Sequence, residues 1–177
     1  ALAENMGRYD AGGITMAAKA KGNDFTLTGE KMFVPDAHVA DQIIVAARTG
    51  QGSNAEDGVT LFLVDAKAPG VTVTQLKTVD MTRRQCHVVF QDVAVARAQV
   101  LGEVGKGWSV LRRVLDQAMA GLAAEMVGTG QKALDLAVAY AKERVQFGKP
   151  IGSFQAVKHK CVDMMVQVEN ARSLSYY

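Results

Sequence analysis

The first hundred residues carry short apolar runs that alternate with turn signals. Six runs rich in β-branched and aromatic residues are punctuated by pairs such as Gly-Asn, Asp-Gly and Pro-Gly, without helical periodicity between them. The predicted strands are 14–20, 24–34, 42–47, 59–65, 71–76 and 85–95. Gly22 and Asn23 are expected to join the first two strands as a hairpin. Successive strands without intervening helices predict an antiparallel sandwich or barrel rather than a parallel sheet.

After Leu101 the apolar positions recur at the helical period of about 3.6 residues. One long apolar face predicts a helix over 106–145, and a second face over 154–171 predicts another helix after Pro150. The sequence therefore predicts an α+β fold, with a β domain over 1–103 and a helical domain over 104–177. The two long antiparallel helices of the second domain would form part of an incomplete four-helix bundle.

Charge and cysteine content narrow the classes of function. The net charge of +2 over 177 residues gives no basic footprint for nucleic acid or an anionic membrane surface. No apolar run approaches the length of a membrane span. Cys86 and Cys161 are isolated, which favours free thiols in a reducing compartment, such as a cytoplasm or a mitochondrial matrix. Ala1 is not an initiator methionine, and 176–177 lie within a helical pattern, so we expect part of a larger protein.

Two glycine-rich stretches resemble nucleotide-binding motifs but lack the required context. "GTGQKA" (128–133) has dinucleotide-fingerprint spacing but lies inside a predicted helix, where small residues would let another helix approach. "GEVGKG" (102–107) lacks the spacing of a P-loop and is interpreted as a loop before the long helix. His38, His87 and His159 are not spaced as metal ligands, so no metal site is expected.

The break between the predicted helices carries Arg144, Gln146 and Phe147 ahead of Gly148. One interpretation is a helix C-terminus with a dipole-compensating arginine and a turn. However, "YAKERVQFGKPIGSFQAVKHKCVDM" (140–164) closely resembles the helix–turn–helix segment of the acyl-CoA dehydrogenase family. "LAENMGRYDAGGI", "LTGEKMFVPDAHVADQIIVAART", "VVFQDVAV" and "VLGEVGKGW" follow in the family's order, so the resemblance covers essentially the whole chain.

This resemblance implies the family's middle β domain and the first half of its C-terminal helical domain. It also implies FAD-dependent oxidation of an acyl-CoA thioester, in which a carboxylate base removes an α proton and flavin accepts the β hydride. Family members assemble as tetramers, dimers of dimers that share FAD across subunits. This chain would therefore belong to a homo- or hetero-oligomer.

In the family, Arg144, Gln146 and Phe147 match residues that meet the FAD bound mainly on the neighbouring subunit. The Arg144 guanidinium suits the pyrophosphate through forked, charge-assisted hydrogen bonds. Phe147 offers apolar surface to the adenine end. Gln146 and Gln155 can donate hydrogen bonds to the cofactor or to the partner's backbone.

The segments that resemble the family's flavin-holding residues, 2–10 and 32–36, depart from its pattern; we call them the flavin platform. The family's Thr-Glu-Pro and Gly-Ser-Asp correspond to Ala3-Glu4-Asn5 and Arg8-Tyr9-Asp10, so Ala3 and Tyr9 replace hydroxyl residues. Phe33 is retained as an aromatic that could cover one flavin face. Pro35 replaces a Thr or Ser that reaches flavin N5, and proline offers neither a hydroxyl nor an N–H.

The predicted long helix over 106–145 also departs from the family's residue pattern. Asp116, which matches an acyl-CoA-contacting residue, is retained, but the arginine expected three residues later is Met119. Ala118 stands where some family members carry the catalytic glutamate, and the more common base lies beyond Tyr177. No catalytic residue is therefore assigned within this chain.

Three functions remain open from the sequence. The parent protein is a dehydrogenase active in its own right, a companion subunit that completes the FAD site of a partner dehydrogenase, or a non-enzymatic scaffold. The number of FAD molecules bound per chain would separate the first two.

Overall fold

The computed structural model describes residues 1–50 and 54–177. Within them the chain forms two compact units, Ala1–Arg112 and Arg113–Tyr177. The first unit contains all of the long strands, and the second contains most of the helical residues. The predicted α+β class is confirmed, whereas the predicted domain boundary at residue 103 stays a prediction.

The β unit is built on one seven-stranded sheet with the strand order β5-β6-β2-β1-β3-β4-β7. The strands are β1 Ala17–Lys21, β2 Asp24–Pro35, β3 Gln42–Arg48, β4 Val59–Asp65, β5 Val71–Gln75, β6 Gln85–Val95 and β7 Val100–Leu101. Neighbouring strands pair antiparallel except β1 and β3, which meet in parallel at one residue pair. The six predicted strands are all present in this sheet, and its short seventh strand, β7, was not predicted.

The predicted hairpin between β1 and β2 forms as expected. Lys21 pairs with Asp24, so Gly22 and Asn23 are the two loop residues. Gly22 has a φ of 64°, a left-handed conformation that glycine adopts without a Cβ penalty.

The core of the β unit lies between strands that are not neighbours in the sheet. The Phe25 ring on β2 meets the Phe62 ring on β4 edge-to-face, with centroids 5.2 Å apart. Leu27, Val45 and Val88, from three strands, are completely buried in the same cluster. The sheet therefore curls around one core, as the predicted sandwich or barrel requires.

Arg48, at the end of β3, ties two loops to the sheet. Its guanidinium donates to the carbonyls of Ala11 and Ile14, at 2.7 and 2.6 Å. It also donates to the carbonyls of Ala55 and Asp57, both at 2.8 Å. Because one planar side chain satisfies four carbonyl groups, it fixes the turn before β1 against the loop before β4.

Replacing Arg48 with methionine keeps the aliphatic stem but removes all four hydrogen bonds. We expect the free energy of unfolding to fall by about 2 kcal/mol, because partly buried carbonyls lose a charged donor. Urea denaturation of the full-length protein measures this change. Arg112→Met is the matched control, because its exposed side chain lies 4.0 Å from Glu56 and is expected to contribute little. An equal loss of unfolding free energy in the two variants would contradict the role of Arg48 in fixing the two loops.

Two helices, α1 Gly107–Glu143 and α2 Gln155–Ser175, agree with the predicted spans to within a few residues. They pack antiparallel: Arg172 Nη2 donates to Gln131 Oε1 at 2.7 Å, and Gly152 lies against Ala141. "GTGQKA" lies within α1, and a Cβ built on Gly130 would contact Val168 at 3.5 Å. This is an ordinary van der Waals distance, and a Cβ on Gly128 would meet nothing within 4 Å, so the close helix approach predicted for these small residues stays a prediction.

Neither helix combines the length and apolar character needed to cross a membrane, as far as the described residues go. Those residues also contain no cluster of three or more His, Cys, Asp or Glu able to hold a metal ion.

Candidate functional site

The segment 144–155, which we call the helix corner, joins α1 to α2 through a small hairpin. Two strands, β8 Val145–Gln146 and β9 Lys149–Pro150, pair antiparallel. The Ile151 N–H donates to the Arg144 carbonyl at 2.8 Å and closes the hairpin at its base. The sequence predicted a break here but not a paired hairpin, because two-residue strands carry no periodicity.

The tip of this hairpin places an aromatic ring in solvent. Phe147 and Gly148 have φ values of 52° and 75°, as the two loop residues of a type I′ turn require. The Phe147 side chain is 92% exposed. A phenylalanine in a left-handed conformation, with most of its surface in water, buries little apolar area within this chain. Such a residue is typical of a binding site.

The corner also carries a second aromatic ring and cationic and amide groups. Phe147 packs edge-to-face on Phe154 with centroids 6.1 Å apart, and Lys149 Nζ lies 4.6 Å from the Phe154 ring centre. The exposed Arg144 guanidinium makes no hydrogen bond or ion pair with any described residue. Within the described part of the chain, Gln146 Nε2 donates only to the neighbouring Val145 carbonyl, at 2.8 Å.

Gly152 holds the corner against α1. A Cβ built on this residue would lie 2.9 Å from the Ala141 carbonyl oxygen, closer than real Cβ atoms approach backbone. Gln155, the first residue of α2, is exposed beside this turn. The four predicted residues Arg144, Gln146, Phe147 and Gln155 thus share one rigid corner. It combines an unpaired guanidinium, amides and an aromatic surface, which suits a phosphate-bearing aromatic ligand.

The two segments of the flavin platform come together in the β unit. The Met32 N–H donates to the Ala3 carbonyl at 2.9 Å. Phe33 has a φ of 56°, and a Cβ built on Gly7 would lie 3.7 Å from its ring. The Phe33 side chain is 36% exposed, so one side of the ring remains accessible. The two segments therefore lie side by side, with the Phe33 ring partly exposed beside Gly7.

A buried ion pair that the sequence analysis did not identify supports the platform. The fully buried Lys31 places its Nζ 2.7 Å from Glu4 Oε1 and 3.2 Å from the Leu2 carbonyl. Glu4 also accepts hydrogen bonds from the Thr15 N–H and the Met16 N–H, each at 3.0 Å, and from the Thr15 hydroxyl. The strict alternation Phe25, Leu27, Gly29, Lys31 on β2 was the available signal, because it points a lysine inward.

Both members of this pair have perturbed pKa values. Burial would raise the pKa of Glu4, but hydrogen bonds from Lys31, Thr15 and the Met16 N–H outweigh it and lower the pKa below 4.5. Burial lowers the pKa of Lys31 below 10.5, against the opposing effect of Glu4. The pair is therefore held as an ion pair near neutral pH, joining the N-terminal segment to β2.

Asp116, Ala118 and Met119 lie on α1 in the helical unit and are all exposed. They are not among the corner residues, and Asp116 keeps its predicted role in substrate binding only as a prediction.

The comparisons with known proteins agree over both units. The profile of the acyl-CoA dehydrogenase middle domain matches residues 1–93, and that of the acyl-CoA dehydrogenase C-terminal domain matches residues 105–177. The chain belongs to the acyl-CoA dehydrogenase family.

Relatives and solved structures of this family cover nearly the whole chain. The short-chain specific acyl-CoA dehydrogenase of Megasphaera elsdenii is 39% identical over 97% of this chain and 45% of its own length. The structure of butyryl-CoA dehydrogenase from the same organism superposes with a TM-score of 0.90 at 38% identity, over 99% of this chain and 46% of that one. An FAD-dependent dehydrogenase structure gives a TM-score of 0.92 at 30% identity, over 100% of this chain and 48% of that one. The chain thus spans about half the length of the relatives it matches.

Proposed function

We propose that the acyl-CoA dehydrogenase family protein containing this chain takes part in the FAD-dependent α,β-dehydrogenation of an acyl-CoA thioester. Family membership and the FAD-dependent dehydrogenase among its structural neighbours support this reaction class. The single observation that carries the proposal is the helix corner, where an exposed guanidinium with no partner among the described residues and a solvent-exposed Phe147 are available to a ligand.

The corner residues are assigned to an FAD shared across a subunit interface within a dimer of dimers. Arg144 would bind the pyrophosphate through a forked, charge-assisted contact. Phe147 would cover the adenine end with apolar surface, and Gln146 and Gln155 would donate hydrogen bonds. The fit is good because Arg144 would give up no partner among the described residues when it binds.

Other residues of the chain are assigned to positioning. Phe33 would lie against one face of the flavin ring, and Asp116 would contact the acyl-CoA. When bound, flavin supplies the hydride acceptor. Ala118 offers no carboxylate, so we assign the proton-abstracting base to a residue outside this chain. Because Cys86 and Cys161 are free, we place the reaction in a reducing compartment, a cytoplasm or a mitochondrial matrix.

The test uses the full-length protein, purified with whatever family subunit co-purifies with it. We expect flavin absorbance in this preparation and dye reduction that depends on an added acyl-CoA. A series of acyl chain lengths would define the substrate. A preparation that binds added FAD and oxidises no acyl-CoA would contradict the dehydrogenase assignment, and one that never binds FAD would contradict the role of the corner.

A further inference from the structure

We infer that Glu30 and His87 are positioning residues of the proposed dehydrogenase, which together fix the part of β2 that presents Phe33 to the flavin. This inference rests on the proposed function, in which the Phe33 ring lies against one face of the flavin. Both residues act through the direction of that ring and not through a contact of their own with the cofactor.

Phe33 lies in a β-bulge of β2. The register between β2 and β6 shifts between Lys31 and Val34, so that Met32 and Phe33 together lie opposite the single residue His87. An extra residue in one strand bends that strand and changes the direction of the side chains there. Phe33 has a φ of 56°, a left-handed conformation that a bulky residue rarely adopts. Such a conformation persists only where the surrounding structure holds it.

Glu30 and His87 contact each other across this bulge. Glu30 pairs with Val89, and His87 lies two residues away from Val89 on β6, so the two side chains are diagonal neighbours on one face of the sheet. His87 Nε2 lies 2.8 Å from Glu30 Oε2. Because an ionised carboxylate only accepts hydrogen bonds, His87 Nε2 carries a proton in this contact. The contact therefore joins β2, on one side of the bulge, to the β6 residue opposite the bulge.

The other oxygen of Glu30 binds the N-terminal segment of the flavin platform. Asn5 Nδ2 donates to Glu30 Oε1. The hydrogen bond from Asn5, and then that from His87, lower the pKa of Glu30, so the carboxylate stays ionised near neutral pH. The Met32 N–H donates to the Ala3 carbonyl at 2.9 Å, which joins the same N-terminal segment to the bulge itself. One carboxylate thus connects segment 2–10, β2 and β6 around the bulge.

This arrangement contributes to geometry more than to stability. The His87 and Glu30 side chains are 27% and 39% exposed, so solvent screens their attraction. The buried Glu4–Lys31 pair already joins the N-terminal segment to β2. Glu30 adds a link to β6, the strand opposite the bulge, and therefore fixes the position of Phe33 relative to that strand.

The test measures the FAD dissociation constant of the assembled, full-length protein. Glu30→Ala and His87→Ala are each expected to weaken FAD binding by about 3- to 10-fold, the effect of losing a hydrogen-bonded contact. In a Phe33→Ala background, Glu30→Ala should change the affinity by less than about 2-fold, because the ring that Glu30 positions is gone. Glu30→Gln should retain most of the affinity, since an amide can still accept from Asn5 and donate to His87. Glu103→Ala removes an exposed carboxylate from the loop before α1 and is the matched control, which should leave the affinity unchanged.

An equal loss of FAD affinity with Phe33 present and absent would overturn the inference, because Glu30 would then act without the ring. A loss in Glu30→Gln as large as that in Glu30→Ala would overturn it as well. A crystal structure of Glu30→Ala gives a readout that needs no flavin: we expect the Phe33 ring to leave its parent position, and an unmoved ring would refute the positioning role. Failure of the proposed function is distinguishable, because the parent protein itself would then bind no FAD, while the crystal structure would still decide the role of Glu30.

Discussion

Replacing Arg144 with alanine is expected to weaken FAD binding by the assembled protein by about 30- to 150-fold. This corresponds to about 2–3 kcal/mol, the lower part of the range for truncating one member of a desolvated charge pair. In the chain itself the guanidinium is exposed and has no described partner, so its removal should not disturb folding. The loss should therefore appear in the dissociation constant and not in the thermal unfolding midpoint.

Two further variants separate charge from geometry at this position. Arg144→Lys keeps the charge but not the planar fork, so FAD affinity should fall between those of the parent and the alanine variant. Lys142→Ala removes an exposed cation from the last turn of α1 and should leave affinity nearly unchanged. Equal FAD retention by Arg144→Ala and the parent protein would refute the cross-subunit role.

The fold was predictable where its determinants are local. The strands β1–β6 follow from short runs rich in β-branched and aromatic residues and from the turn residues between them, and Gly22-Asn23 marks a hairpin. The spans of α1 and α2 follow from the helical period. The strand order was not predictable, because it depends on pairing between distant segments such as β2 and β6. The hairpin at Phe147 was missed because Gly148 was interpreted only as a break.

The sequence predicted which residues belong to the candidate site, but not which of their polar groups are free to bind a ligand. The resemblance to a family named Arg144, Gln146, Phe147 and Gln155 as residues of interest, yet it could not say which groups are free to bind. That distinction comes from contacts between residues far apart in sequence. Lys31 reaches Glu4 across 27 positions, and Arg48 gathers carbonyls from two loops. Such pairs leave only a weak trace, a lysine at an inward position or an arginine closing a strand.

Breaking the Glu4–Lys31 ion pair should lower the free energy of unfolding more than the other substitutions proposed for this chain. Glu4→Gln preserves the shape of the side chain but leaves the completely buried Lys31 ammonium without its counterion. We expect the free energy of unfolding at neutral pH to fall by about 3–5 kcal/mol, the usual result of removing one partner of a buried pair. Asp41→Asn is the matched control, since Asp41 pairs with Lys67 at 3.7 Å in an exposed position and should give no measurable change.

The Glu4–Lys31 pair should also make the free energy of unfolding depend on pH. Because the pKa of Glu4 is lower in the folded state, its contribution is complete above the unfolded value of about 4.5 and is lost as the pH falls through the folded value. The depressed pKa of Lys31 acts at the other end: stability rises with pH between its folded value and 10.5, where the unfolded state binds more protons. Urea denaturation across pH should show a smaller acid slope in Glu4→Gln than in the parent. Identical slopes would assign the acid sensitivity to other carboxylates.

Removing both charges tests whether the cost of Glu4→Gln arises from an unpaired lysine. The double variant Glu4→Gln/Lys31→Met replaces the buried ammonium with an apolar side chain of similar length. We expect it to recover more than half of the stability lost in Glu4→Gln, because no buried charge then lacks a partner. A double variant that is less stable than Glu4→Gln would mean that the pair acts through its hydrogen bonds with Leu2, Thr15 and Met16 and not through charge compensation.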